Sequence, residues 1–136
     1  MSLRWLALLL PLYSVSVHAL EMPIEIVEIV DNTRVVAFIN ESDIDNFADW
    51  KPFESTPALN VTDAVVSVKK FITENDGLKE AQVEEIVLRQ IPHHEGRWHY
   101  MVKLKTERDE QVSYHYLVVL MNGKIIPAIR EPSSIK

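Results

Sequence analysis

Between Glu85 and Ile129 apolar and polar residues alternate with period two, in runs divided by short polar breaks. The first run is Ile86-Val87-Leu88-Arg89-Gln90-Ile91. It is ended by Pro92, which lacks a ladder donor, and by Gly96, which enters positive φ without strain. In the second, Trp98, Tyr100, Val102 and Leu104 alternate with His99, Met101, Lys103 and Lys105. The third continues through Val112, Tyr114, Tyr116, Val118 and Leu120. Asn122-Gly123 then predicts a type I′ hairpin turn into a last strand over Lys124 to Ile129. The period lengthens between Val61 and Ile72, where Val61, Ala64, Val65, Val68, Phe71 and Ile72 form one helical stripe. Asn60 or Thr62 is placed to cap this helix, Asp63 favours its N-terminus, and Asn75-Asp76-Gly77 ends it. A helix of about four turns is marginal alone, so its stripe is expected to lie across the sheet.

Upstream, Ile24 to Ile39 is rich in Ile and Val around a turn at Asp31-Asn32-Thr33, giving a hairpin or two short strands, although Glu25 and Glu28 break the alternation. Ser42 is placed to cap a short acidic helix with Ile44, Phe47 and Ala48 on one face and Asp43, Asp45 and Asp49 toward water. That acidic stretch lacks the glycine and spacing of a calcium loop. Lys51 to Leu59, with Pro52 and Pro57, reads as an extended connector. The expected fold is α+β: one main helix packed on a curved antiparallel sheet of about four strands, with extra N-terminal strands and a short acidic helix.

Composition adds an address. Arg4, the apolar stretch Trp5 to Val17 and the small-residue site Val17-His18-Ala19 read as a leader cleaved after Ala19. Pro11 and the short length argue against a membrane anchor. Removing 19 of the 136 residues leaves 117, enough for one self-supporting domain, and removing Arg4 takes the net charge from −6 to −7. The expected division is a leader at 1–19, N-terminal strands, acidic helix and connector at 20–59, helix and sheet at 60–130, and a loose tail at 131–136. An acidic chain gives no reason to expect nucleic acid or, after leader cleavage, a membrane as partner. The absence of cysteine excludes disulfides and thiolate sites, and with a leader it favours a periplasmic or secreted setting.

In Thr62-Asp63-Ala64-Val65, then Val83 to Ile91, then Gly96-Arg97-Trp98-His99-Tyr100-Met101-Val102-Lys103-Leu104, then Tyr116 to Ile126 around Asn122-Gly123, the chain resembles PepSY and PepSY-like domains of secreted bacterial proteins. That resemblance covers about the last 70 residues. It departs at Leu120-Met121-Asn122, where those domains commonly carry an acidic residue. Gln90-Ile91-Pro92-His93-His94-Glu95-Gly96 also resembles, with two extra residues, the inhibitory Gln-x-Val-x-Gly hairpin of cystatins. Both resemblances imply a cystatin-like wrap of sheet around helix and a role in protease inhibition.

Of the polar clusters, His93, His94, Glu95, His99 and His115 alone have metal-ligand chemistry. Adjacent His93 and His94 point apart in an extended chain, and no i, i+4 pair fixes a site, so His93, His94, His99 and His115 are weak candidates and no cofactor is expected. Trp98, Tyr100, Tyr114 and Tyr116 are expected in the core under the helix rather than on a carbohydrate-stacking surface. The opposite phase, His99, Met101, Leu117, Val119 and Met121, is either covered by the N-terminal segment or left as a partner-binding patch. Catalysis finds no support: Ser133 and Ser134 sit in the tail, Ser113 and His115 lack an orienting acid, and Glu84-Glu85 and Asp109-Glu110 read as solvated acids. The reading is a non-catalytic module for a protein or peptide partner, with a protease among the candidates. It would bind through an exposed strand edge or through a loop bearing Gln90, His93, His94, Glu95 and Gly96. The alternatives are a cystatin-type inhibitor using residues 90–96 and a metal carrier using His93, His94 and His99.

Overall fold

The computed structural model describes residues 22–47 and 49–132, so the segment 1–19 expected to be a leader, Ala48 and the tail serines lie outside the described residues. Strands β1 (Ile24–Val30) and β2 (Thr33–Ile39) form a hairpin closed by Asp31-Asn32, both at positive φ (49° and 62°), as a two-residue type I′ turn requires. Helix α1 (Glu41–Asp45) follows, then α2 (Val61–Glu74) and a 3-10 turn, Asp76–Leu78. Four more strands complete the chain: β3 (Gln82–Gln90), β4 (Trp98–Arg108), β5 (Gln111–Leu120) and β6 (Ile125–Arg130). All six lie in one antiparallel sheet of order β1-β2-β6-β5-β4-β3.

This corrects the expected fold class. The molecule is mostly sheet, with α2 its one substantial helix, and the N-terminal hairpin is an integral part of that sheet through the β2–β6 pairing. In a flat sheet β1 and β3, at opposite edges, would stand roughly 24 Å apart. Yet Arg89 Nε of β3 lies 3.1 Å from Glu28 Oε2 of β1, so the sheet curls into a half-barrel. Its concave side holds one core, in which Ile26, Val35, Ala37 and Ile39 of the hairpin meet Met101, Tyr116, Val118 and Leu120. The convex side of β3–β5 holds a second core, in which Ala64 and Val68 of α2 meet Tyr100, Val102, Leu104, Leu117, Val119 and Met121. Two cores on opposite faces explain why β4 and β5 are buried on both sides, unlike a half-wet antiparallel strand.

The faces also differ from the sequence expectation. The β4–β5 turn is the two-residue pair Asp109-Glu110, at φ 50° and 64°, which sets Arg108 opposite Gln111 and every odd residue of one strand opposite an even residue of the other. Tyr116, Val118 and Leu120 therefore face away from α2, and Leu117, Val119 and Met121 face it. The β5–β6 turn, unlike the two-residue β4–β5 turn, is not the type I′ turn expected at Asn122-Gly123. Gly123 N–H donates to Leu120 C=O, Leu120 N–H donates to Lys124 C=O, and only Gly123 has positive φ (85°), giving a three-residue loop with glycine in the left-handed position. A Cβ on Gly123 would stand 3.0 Å from Ser67 Oγ of α2, so this turn also needs glycine for close approach.

Local caps explain the helix limits. Asn60 caps α2, its Oδ1 accepting from Asp63 N–H at 2.8 Å. Asn40, not Ser42, caps α1, and the Asp43 carboxylate accepts from Asn40 N–H at 3.4 Å. The connector is tied down where Tyr100 donates to Leu59 C=O at 2.6 Å, and burial pushes the Tyr100 phenol above its usual pKa.

Candidate functional site

Regular β5–β6 pairing stops at Tyr116 opposite Ala128. Continuing the register would pair His115 with Ile129 and Tyr114 with Arg130, but the β5 ladder ends first, and Ile129 and Arg130 pair only along their other edge, with Val36 and Val35 of β2. Glu131 N–H then donates to Arg34 C=O, keeping the chain with β2. Pro127, opposite Leu117, falls between the hydrogen-bonded pairs Val118–Ile126 and Tyr116–Ala128, so its missing N–H lies on the β2 side and the β5–β6 ladder runs intact to Ala128. The sheet is thus split from its apex at Tyr116 and Ala128 toward the β4–β5 hairpin, and Gln111 to His115 pair only with β4.

A cleft of about 350 Å³ opens at this split, lined by Tyr114, His115, Tyr116 and Leu117 of β5, Pro127, Ala128 and Arg130 of β6, and Phe71, Asn75 and Leu78 beside α2. Four consecutive β5 residues line it, which one face of a strand cannot do, because successive side chains point to opposite faces. The strand therefore contributes its edge, and alternate residues of Gln111 to His115 turn their N–H and C=O groups from β4 toward the gap. Among the described residues Arg130 carries the one formal charge of the lining, its guanidinium carbon 5.7 Å from the Tyr116 ring centroid. Burial first, and the Arg130 charge second, push the His115 imidazole below its ordinary pKa; its Nε2 lies 3.1 Å from Thr106 Oγ1.

The residues singled out from sequence fall in three places. The 92–97 loop is folded on itself, with Ile91 N–H donating to Arg97 C=O and Arg97 N–H to His94 C=O, and Trp50 N–H donates to Gly96 C=O. Arg97 donates to the carbonyls of Ile44, in the last turn of α1, and of Phe47 just beyond it, and pairs with Asp49 at 3.0 Å. Gly96 at φ 79° allows this approach, since a Cβ would stand 3.0 Å from Asp49. Gln90, Glu95 and Gly96 border an open cleft floored by Trp50 and Trp98, whose rings meet edge to face at 4.9 Å. Their indole N–H groups are taken by Ser55 C=O and Trp50 C=O. His93 is exposed, and His94 Nδ1 lies 2.9 Å from Pro92 C=O.

His99 and Met101 are instead buried in the concave interior, and Leu117, Val119 and Met121 are buried beneath α2, so these five form no exposed patch. The histidines are dispersed, and among the described residues no group of three or more His, Asp or Glu side chains is placed to hold a metal.

The open seam between β1 and β3 is joined by side chains. His99 Nε2 stands 2.6 Å from Glu28 Oε1, with the ring fully buried. Arg89 approaches the other Glu28 oxygen without hydrogen-bond alignment. Lys103 donates to Asp31 and lies 2.8 Å from Glu84. Full burial of the His99 ring keeps this dyad from meeting a substrate, so it serves as a latch. Hydrogen bonding to Asp31 first, and to Glu84 second, pushes the Lys103 ammonium well above its ordinary pKa, against the opposing effect of desolvation. A raised lysine pKa stabilises the fold below the unfolded value of about 10.5 and loses that stabilisation as pH rises through the folded value. Urea unfolding from pH 9 to 11.5 is accordingly expected to show alkaline weakening that is smaller in Lys103→Met.

No family model, curated protein or solved structure matches this chain. Function is therefore argued from the cleft and the strand edge. Among the described residues no helix is long and apolar enough to cross a membrane.

Proposed function

We propose that the chain is a non-catalytic binding module that takes up an extended peptide segment of another protein by strand addition to the free edge of β5. The observation that carries this reading is the break in the β5–β6 ladder, which leaves main-chain donors and acceptors facing a cleft of ligand-binding size. Main-chain pairing supplies affinity, and the apolar wall of Phe71, Leu78 and Leu117 selects the side chain that enters. The pinning of the 92–97 loop by Arg97 and Trp50 weighs against that loop as an inhibitory wedge. His115 meets Thr106 rather than a carboxylate, which supports a binding role over an acid–base one. The leader read at residues 1–19 supports a periplasmic or secreted setting. A protease partner is carried by the sequence resemblance to inhibitory domains.

The test uses random-sequence octapeptides panned against the purified chain, followed by alternate-residue N-methylation of the enriched peptides. Strand addition predicts that methylation in one phase abolishes binding and in the other leaves it nearly intact. Equal tolerance of both phases would remove strand addition.

A further inference from the structure

We infer that the bound segment ends in a free α-carboxylate, held at the apex of the split by the Arg130 guanidinium. This rests on the strand-addition reading and names the end of the peptide that the site takes. The split closes where Tyr116 pairs with Ala128, so a strand inserted beside β5 cannot continue past that point within the sheet. A chain terminus removes the difficulty, and charge decides which terminus. Although the chain carries net charge −6, among the described residues no acidic one lines the cleft, and Arg130 is the only formally charged one that does. Arg34, Arg89 and Arg97 each face a carboxylate, of Glu131, Glu28 and Asp49 respectively. Arg130 lies over the Tyr116 ring, beside the apex, and among the described residues no carboxylate pairs with it. An ammonium terminus would be repelled there, whereas a carboxylate matches the planar fork of the guanidinium.

His115 completes the match. Its imidazole favours the neutral form, through burial and through Arg130, so it offers a hydrogen bond without a second positive charge. The ionisable groups near it are Arg130 on β6 and Tyr114 and Tyr116 on β5, with Lys103 across the ladder lying over the Tyr114 ring. A peptide with its C-terminus at the apex runs parallel to β5 and antiparallel to β6, and places its last side chain against Phe71, Leu78 and Leu117.

The experiment compares two random octapeptide libraries of the same composition, both N-acetylated, one with free C-termini and one amidated. Selected peptides are then titrated against wild type, Arg130→Gln and Arg130→Lys, each checked for an unchanged thermal midpoint. Enrichment from the free-acid library is expected, with a loss of about 10- to 100-fold on amidation or in Arg130→Gln and partial retention in Arg130→Lys. Equal binding of free-acid and amidated peptides would overturn the carboxylate anchor and leave strand addition standing. No binding from either library would overturn both.

Discussion

Replacing Glu28 with alanine is expected to cost the fold about 3 kcal/mol, a large share of the roughly 5–15 kcal/mol that holds a domain of this size. The loss arises chiefly at His99. Its ring is fully buried, Nε2 has Glu28 as its partner, and Nδ1 has no hydrogen-bond partner among the described residues, so truncating Glu28 leaves both ring nitrogens without one there. Arg89 contributes less, because its side chain is 42% exposed and can turn to water once the carboxylate is gone. Urea unfolding of Glu28→Ala should show the loss as a lower midpoint at unchanged slope. A double variant, Glu28→Leu with His99→Leu, should return to within about 1 kcal/mol of wild type, since an apolar pair in the concave core needs no partner. If Glu28→Leu alone were as stable as wild type, the latch would contribute nothing and the curl would be held by the apolar core.

The latch shows where sequence reading reaches its limit. Ile26, Glu28 and Val30 share the inward phase of β1, so the carboxylate that breaks the alternation is itself a signal of a buried partner. That partner is His99, 71 residues away, and no local periodicity identifies it. The helix was legible because its stripe, its Asn60 cap and its Asn75 stop agree with one another. The strands of the C-terminal half were legible for the same reason. The joining of β1–β2 to β6 was not, since it rests on only two paired positions at the end of the chain.

The candidate site was partly visible. His115 was legible as a candidate side chain, but Pro127 lacks its N–H on the β2 side and so gives no sign of the split, and the departure of Ile129 and Arg130 from β5 along β2 is a long-range choice. The loop residues Gln90 to Gly96 were legible as a turn, but the contacts that hold them were not. Arg97 carries the signal of their restraint only once α1 and the connector are in place around it.

Leu117→Ala is expected to destabilise the protein by about 3 kcal/mol, while Tyr114→Ala costs under about 1 kcal/mol, the reverse of what alternation alone implies. Carrying the even phase of β4 into β5 makes Tyr114 core and Leu117 its exposed opposite. The two-residue turn at Asp109-Glu110 reverses that, because pairing Arg108 with Gln111 sets even against odd along the whole ladder. Turns of this kind usually announce themselves by glycine or asparagine, and two acids at positive φ did not. Leu117 is 2% exposed against Ala64 and Val68, where truncation leaves a cavity between two rigid layers; Tyr114 is 36% exposed and loses chiefly its contact with Lys103. Chemical denaturation of the two variants measures the register directly. A larger loss for Tyr114→Ala would mean that β5 is turned over, and would close the edge on which peptide binding is built.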